Sequence, residues 1–301
     1  MIFEGNQSVI DAIKEKKKLI ATGQPHDHIR PLLVVDGGLM KGAYGTGAVL
    51  AIDELGFTNI FSSIVGISSG AIAAAYLLSG NKVGGSIMYE EACSREFRPR
   101  FNLKNVINVE YLELVLEGET GKGLIFDKVF SHMVKLYIGM SEYTTGQPAI
   151  IQPTSAGDLL RSIRASISIP GSVSLPSYVH GVRYVDGAAS QPHILAHICE
   201  QIDATHILII TNQDKATKHI SWAEHFMNVT LFRYRMSPAL RKATNWRREA
   251  RHAFVEKTLT SPQKPTLFVW GDNSIGSRES DPTIVKNVVE KSRQWWHEIL
   301  A

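Results

Sequence analysis

Strand patterns that are each followed by a turn of small residues and then by a helix limit the fold of this chain more than any other feature. Residues 32–35 form a continuous apolar run, which indicates a strand buried on both faces of a sheet. A helical pattern follows at 43–55, and a second strand at 62–65 is followed by a second helix at 71–78. A chain that repeats strand, turn and helix in this order is expected to form a parallel sheet covered by helices.

The remaining patterns fit one α/β domain of three αβα layers with a mainly parallel central sheet. Further strands are expected at 149–152, 182–185, 206–211 and 266–270. Further helices are expected at 7–22, 83–96, 156–166, most of 221–258, and 283–300. No internal repeat, low-complexity tract or long linker divides the 301 residues. The sequence therefore predicts a single domain over 1–301. Residues 215–301 are expected to complete this domain, mainly with helices.

The bulk composition excludes several classes of protein. Hydrophobic residues make up 44% and charged residues 20% of the chain, which is typical of a globular protein. A formal net charge of +3 is too small to indicate nucleic-acid binding. Because the start of the chain lacks a signal-peptide pattern and no apolar run approaches the ~20 residues of a membrane span, we expect a cytoplasmic protein. Cys93 and Cys199 have no metal-binding spacing, and free thiols and a disulfide both stay open.

The sharpest chemical motif is the G-x-S-x-G sequence at 66–70, between the strand at 62–65 and the helix at 71–78. Small flanking residues permit a sharp turn that presents Ser68 at the start of a helix, as a nucleophile elbow requires. The positive end of the helix dipole would then stabilise negative charge at that point. Small residues that let a helix pack closely on a strand are the structural alternative. Ser69 is off-centre in the pattern and is a weaker candidate.

A glycine-rich turn at 36–42, Asp-Gly-Gly-Leu-Met-Lys-Gly, follows the first strand. Glycines let backbone N–H groups converge on one point, which suits either a phosphate or the oxyanion of acyl transfer. The turn lacks the G-K-[ST] of a P-loop, and the dinucleotide-binding pattern G-x-G-x-x-G does not fit it. Lys41 is either a solvated residue or a group that tethers the loop or meets anionic head groups.

A third motif, Asp186-Gly187-Ala188, follows the strand pattern at 182–185. Alone, an Asp-Gly pair indicates only a turn.

Taken together, the three motifs resemble those of the patatin-like phospholipase family. The order is D-G-G-x-x-K-G at 36–42, G-x-S-x-G at 66–70 and D-G-A at 186–188, with Ala-Ser-Ile-Ser-Ile-Pro at 165–170 between the last two. The resemblance covers about residues 32–190, and three linked motifs are far more specific than any one of them.

The resemblance implies a patatin-like fold and a lipid acyl hydrolase of the phospholipase A or lysophospholipase kind, with a Ser–Asp dyad and no histidine. Ser68 corresponds to the nucleophile and Asp186 to the general base, and the backbone N–H groups of Gly37, Gly38 and Leu39 correspond to the oxyanion hole. Lys41 matches a position that is basic in the family. The expected substrate is a phospholipid or another acyl ester, and no metal or other cofactor is implied.

The chain departs from the family pattern at two places. Leu39 stands where a third glycine is usual, which narrows the expected acyl pocket. The proline-containing block at 173–176, Val-Ser-Leu-Pro, lacks its usual aromatic residue.

Two other functions stay open at this point. An α/β-hydrolase with a Ser–His–acid triad would place a histidine late in the chain, after the acid. The candidates are His193, His197, His206, His219, His225, His252 and His297. A non-catalytic module that grips a lipid head group or a phosphate with the glycine turn is the second alternative. The sequence His26-Asp27-His28 lacks a third metal ligand nearby.

The segment 231–251 carries seven basic residues and one acid, interleaved with aromatic residues. A basic, aromatic helical surface of this kind binds anionic membranes. A solvated helix whose aromatic residues belong to the core is the alternative.

Overall fold

The computed structural model describes residues 1–98, 107–170, 177–215, 236–245, 247–260, 264–272 and 274–301. These residues form a nine-stranded sheet. The strands are β1 (Ile2–Gly5), β2 (Pro31–Val35), β3 (Ser63–Ile67), β4 (Lys135–Glu142), β5 (Pro148–Ile151), β6 (Ser177–Val179), β7 (Val182–Asp186), β8 (His206–Asp214) and β9 (Thr266–Gly271).

The sheet has a parallel centre and antiparallel margins. Its order is β1-β9-β8-β2-β3-β4-β7-β6, and β5 also pairs with β4. The five strands from β9 to β4 in this order run parallel. β1 is antiparallel to β9, and β5, β6 and β7 form antiparallel pairs at the other end. The predicted mainly parallel sheet is therefore confirmed.

Helices cover both faces of the sheet. They are α1 (Ser8–Ala21), α2 (Ala43–Glu54), α3 (Ser69–Ser79), α4 (Gly84–Ser86), α5 (Val109–Glu117), α6 (Phe126–Ser131), α7 (Ala156–Ile167), α8 (His193–Gln201), α9 (Pro238–Asn245), α10 (Arg247–Thr260) and α11 (Pro282–Leu300).

Alternate side chains of β2 point to opposite faces of the sheet, into two separate helix layers. Leu33 and Val35 point into a large apolar cluster that is shared with α1, α2, α3 and α11. Leu32 and Val34 point into a smaller cluster on the opposite face, which is shared with α8 and α10. Both faces of the strand are fully buried, as a continuous apolar run requires. The protein thus has the predicted three αβα layers.

The strand β4 brings two distant strand ends together. β3 pairs with residues 135–139 of β4, and β7 pairs with residues 140–142. β5 pairs with residues 138–141, which overlap both of these stretches. Since a strand has only two edges, β3 and β7 share the edge that β5 leaves open. Ile67, the last residue of β3, lies opposite Gly139, and Asp186, the last residue of β7, lies opposite Met140. The ends of β3 and β7 therefore meet.

Close packing of helices explains glycines that carry no chemical motif. A β-carbon on Gly47 of α2 would lie 2.4 Å from the carbonyl oxygen of Val289 in α11. Glycine at this position lets the two helices approach more closely than any other residue would allow.

The structure corrects one helix prediction and adds strands that the pattern did not reveal. The predicted helix at 83–96 is confirmed only over its first part, because α4 (Gly84–Ser86) continues into a π-helical turn at Ile87–Glu91 and the chain is not helical beyond it. Strands β1, β4 and β6 were not predicted. Cys93 and Cys199 are free thiols, so the alternative of a disulfide between them is wrong.

Parts of three predictions fall outside the described residues: the block at 173–176, most of the first half of the predicted helical region 221–258, and much of the basic segment 231–251. Among the helices that the structure describes, none combines the length and apolar composition of a membrane span.

Candidate active site

Ser68 occupies a strained turn between β3 and α3. Its backbone has φ 54° and ψ −126°, outside the region that residues with a side chain ordinarily adopt. Two neighbouring glycines make the turn possible. A β-carbon on Gly66 would lie 2.4 Å from Cα of Ala71, and one on Gly70 would lie 2.1 Å from the carbonyl oxygen of Val35. The G-x-S-x-G spacing is therefore a steric requirement of this turn, which has the geometry of the predicted nucleophile elbow.

The hydroxyl of Ser68 is hydrogen-bonded directly to a carboxylate. Ser68 Oγ donates to Oδ2 of Asp186 over 2.7 Å. Both residues are only 3% exposed. The other carboxylate oxygen of Asp186 accepts from the backbone N–H of Ala188 over 2.8 Å, which fixes the plane of the carboxylate. The structure thus brings together the two predicted residues, which lie 118 positions apart.

The block at 165–170 supports both partners from the C-terminal end of α7. Ser166 Oγ accepts from the backbone N–H of Ser68 over 2.8 Å and donates to the carbonyl oxygen of Gly139 over 2.6 Å. The carbonyl oxygen of Ser168 accepts from the N–H of Asp186 over 2.9 Å. The two bonds of Ser166 require a hydroxyl at that position. Together with the backbone bond of Ser168 they fix the turn of Ser68 relative to the end of β7.

The glycine turn lies directly against Ser68. A β-carbon on Gly37 would lie 2.7 Å from Cβ of Ser68, so only glycine fits at that position. The N–H of Gly37 donates to Oδ1 of Asp36 over 2.7 Å. Within the described residues, the N–H groups of Gly38 and Leu39 have no hydrogen-bond acceptor. Two of the three predicted oxyanion donors are therefore available in this conformation, and the first is engaged.

Leu39 adopts a left-handed backbone conformation with φ 53°. Left-handed backbone favours glycine, and glycine is usual at this position in the family that the sequence motifs resemble. The side chain of Leu39 is 36% exposed, beside the glycine turn. Leucine thus occupies a strained position next to the site.

Lys41 lies in the short 3₁₀ turn Leu39–Gly42 and is half-buried. Its ammonium group makes no hydrogen bond or ion pair with any residue that the structure describes. The role of Lys41 as a tether that holds the glycine turn is therefore not observed among the described residues.

Two buried amide side chains that no sequence motif indicates contact the glycine turn. Asn212 at the C-terminal end of β8 donates from Nδ2 to the carbonyl oxygen of Asp36. Gln191 donates from Nε2 to the carboxylate of Asp36. Neither residue belongs to a local motif, and each is more than 150 positions from Asp36, so only the fold brings them together.

The late histidines with described side chains lie in other environments. His206 begins β8, where its ring contacts Thr205 Oγ1 and burial lowers its pKa. His297 contacts Glu54 at the surface over 2.7 Å. His193 is exposed on α8. Among the residues that the structure describes, the hydroxyl of Ser68 bonds to Asp186 and to no histidine, while the side chains of His219, His225 and His252 lie outside the description.

Within the ranges that the structure covers, histidine, cysteine and carboxylate side chains form no group of three that could hold a metal ion. His26, in the His-Asp-His sequence, lies 3.8 Å from the exposed carboxylate of Asp27.

Within the described residues, the site therefore combines a buried hydroxyl, a buried carboxylate that accepts its hydrogen bond, and N–H groups without an acceptor on the adjoining turn. A hydroxyl in such a setting can attack an acyl carbon, and the N–H groups can stabilise the resulting oxyanion.

Comparisons with known proteins give a family match and distant structural similarities. The patatin-like phospholipase model matches residues 33–197, more than half of the chain. The match includes the glycine turn, Ser68 and Asp186. No curated protein sequence matches the chain at a significant level.

Three solved structures illustrate the structural similarity. VipD from Legionella pneumophila has 12% sequence identity and a TM-score of 0.46, covering 90% of this chain and 66% of that one. The ExoU–SpcU complex from the type III secretion system of Pseudomonas aeruginosa has 17% identity and a TM-score of 0.39, covering 90% and 52%. Human GIVD cytosolic phospholipase A2, in complex with methyl gamma-linolenyl fluorophosphonate, has 14% identity and a TM-score of 0.44, covering 98% and 63%.

The chain thus spans between 52% and 66% of the length of these three structures. The family match, which extends over the three motifs and more than half of the sequence, shows that the chain belongs to the patatin-like phospholipase family.

Proposed function

We propose that this chain is a serine ester hydrolase that cleaves acyl lipids with a Ser68–Asp186 dyad. Membership of the family supports a lipid acyl hydrolase. The observation that carries the finer proposal is the 2.7 Å hydrogen bond from Ser68 Oγ to Asp186 Oδ2 at the elbow turn. The substrate class is a phospholipid, a lysophospholipid or a related acyl ester, and residues 1–301 act as one catalytic domain.

In the first half of the reaction, Ser68 Oγ attacks the ester carbonyl and Asp186 takes the hydroxyl proton. Negative charge develops on the carbonyl oxygen, where the N–H groups of Gly38 and Leu39 donate to it. The N-terminus of α3 adds the positive end of its dipole. Asp186 then gives the proton to the leaving alcohol, and the acyl group stays on Ser68.

In the second half, Asp186 takes a proton from a water molecule, which attacks the acyl-enzyme. The oxyanion donors act a second time, and Ser68 recovers its proton when the fatty acid leaves. Each proton is held by the same carboxylate, so the scheme needs no histidine.

Labelling with an alkyl fluorophosphonate tests this proposal and separates an enzyme from a lipid-binding module. We expect one equivalent of label per folded chain, located on Ser68 by peptide mass mapping. Labelling should require the folded protein, because an isolated serine hydroxyl is a poor nucleophile. The Ser69→Ala variant should be labelled like the wild type. A chain that resists the reagent, or that carries the label on another serine, contradicts the proposed nucleophile.

We also propose that the basic segment 231–251 contacts anionic membranes. In its described part, α9 buries Leu240 and exposes Lys242, so the cationic side of this helix faces solvent. Anionic lipid attracts such a surface, and salt screens the attraction. We expect the double variant Arg241→Gln/Lys242→Gln to weaken binding to anionic vesicles about 30-fold, since each of the two cations contributes about 1 kcal/mol near the surface.

A matched pair of charge changes on α1, Lys14→Gln/Lys18→Gln, should leave vesicle binding within about twofold of wild type, as expected for lysines outside a contact surface. Equal losses in the two double variants, or equal binding to neutral vesicles, would show that the segment is not the contact.

A further inference from the structure

Asp36 is the first residue of the glycine turn and is fully buried. Its N–H donates to the carbonyl oxygen of Ile210 in β8 over 3.0 Å. Its carboxylate accepts from the N–H of Gly37 and from the side chain of Gln191, and its carbonyl oxygen accepts from Asn212. A buried carboxylate with this many donors is held in one orientation.

Asn212 fills the space beneath the turn. Its Nδ2 donates to the carbonyl oxygen of Asp36, and its Oδ1 accepts from the N–H of Gly45 at the start of α2 over 2.7 Å. A β-carbon on Gly38 would lie 2.8 Å from Cβ of Asn212, so the turn rests directly on this side chain. Only an amide is a neutral side chain that donates and accepts in this way, and it ties the first residue of the turn and the first turn of α2 to the end of β8.

Gln191 links the glycine turn to the segment that carries Asp186. It follows the short 3₁₀ turn Gly187–Ser190, which begins immediately after Asp186. Its Nε2 donates to the Asp36 oxygen that also accepts from Gly37. The N–H of Gly37 is thereby turned towards the protein interior, while the next two N–H groups stay unpaired within the described residues.

We infer that Asn212 and Gln191 are positioning residues that hold the glycine turn in the conformation in which Gly38 and Leu39 donate to the oxyanion, an inference that rests on the proposed function. Glycine-rich turns have many accessible conformations. Donors stabilise a transition state only when their positions are fixed before the reaction. Two amides from separate elements supply that restraint without contacting the substrate.

The test uses two variants that remove one restraint each. Asn212→Asp replaces the donor to Asp36 by an acceptor, and Gln191→Leu removes the donor at similar size. We expect kcat for a short p-nitrophenyl ester to fall about 100-fold in each, as for a misplacement of about 1 Å, while KM changes less than about threefold. The matched control is Thr211→Val, which removes a buried hydroxyl from the neighbouring position of β8.

Hydrogen exchange of the wild-type and variant chains provides a readout that does not depend on activity. We expect faster exchange in peptides that cover residues 36–42, and unchanged exchange in the strands on either side. Gln191→Leu places no charge in the interior, so it carries the test if Asn212→Asp fails to fold.

The outcomes separate the inference from the proposed function. Variants with wild-type kcat, or with losses no larger than in Thr211→Val, overturn the inference even if Ser68 proves to be the nucleophile. If the wild type neither hydrolyses esters nor reacts with fluorophosphonate, the proposed function fails, and the exchange of residues 36–42 alone decides whether the two amides hold the turn. Unchanged exchange then overturns the inference as well.

Discussion

Replacing Ser68 by alanine is expected to abolish hydrolysis of short p-nitrophenyl esters and to leave the fold intact. The variant lacks the oxygen that forms the acyl-enzyme, so we expect kcat to fall by about 10⁴-fold or more, as for other serine hydrolases. The change removes one hydrogen bond, to Asp186, and no apolar packing. We therefore expect the free energy of unfolding to change by less than about 2 kcal/mol. Initial rates and urea unfolding curves measure the two effects.

The neighbouring serine provides a matched control. Ser69 Oγ is buried and has no hydrogen-bond partner within the described residues, so Ser69→Ala removes no polar contact there. This variant should keep wild-type turnover. Wild-type activity in Ser68→Ala would show that the elbow serine is not the nucleophile. Because an unfolded variant is inactive for any reason, the unfolding curve is needed beside the rate.

Local patterns identified most of the parallel core in advance. The strands at 32–35, 206–211 and 266–270 correspond to β2, β8 and β9, because strands buried on both faces consist of apolar runs. The helix at 83–96 was predicted from composition, yet the chain there forms only a short helix and a π-helical turn. Strand β1 has four residues and owes its place to pairing with β9, which no local pattern reveals.

Some residues of the candidate site can also be predicted from local sequence, and others cannot. Ser68 and the glycine turn are visible in the sequence because their sharp turns require glycines at fixed spacing. Asp186 is visible only in combination with the other motifs, since an Asp-Gly pair alone indicates a turn. Gln191 and Asn212 carry no local signal. Their function depends on distances across the sheet, which the order of strands determines.

Replacing Asp186 by asparagine is expected to reduce ester hydrolysis about as severely as Ser68→Ala. Asparagine has nearly the same shape, so the carbonyl oxygen of its amide can still accept from the N–H of Ala188. The amide does not accept the proton of Ser68 as the carboxylate does, and no serine anion forms. Residues that act as one unit have non-additive effects, so the double variant Ser68→Ala/Asp186→Asn should be no less active than either single variant. Steady-state rates of the three variants measure this.

Asp158 supplies a control for the loss of a buried carboxylate. It is 2% exposed and lies in the first turn of α7. Its carboxylate accepts from the N–H of Thr154 over 3.1 Å and lies 3.0 Å from Nε2 of His180. Asp158→Asn should keep turnover even if it lowers stability. The comparison therefore distinguishes loss of a base from loss of a buried charge.

The decisive contrast is with the histidines, because a triad predicts the opposite ranking. Changing each of the seven late histidines to glutamine should reduce turnover by less than about threefold, since the dyad asks none of them to move a proton. His206 illustrates the reason: it begins β8, and six residues of extended strand, about 20 Å, separate it from Asn212 beside the glycine turn. Activity should also survive EDTA, as the proposed steps use only protein groups. One histidine whose replacement matches Ser68→Ala in severity, in a chain that stays folded, would exclude Asp186 as the direct base and establish a triad instead.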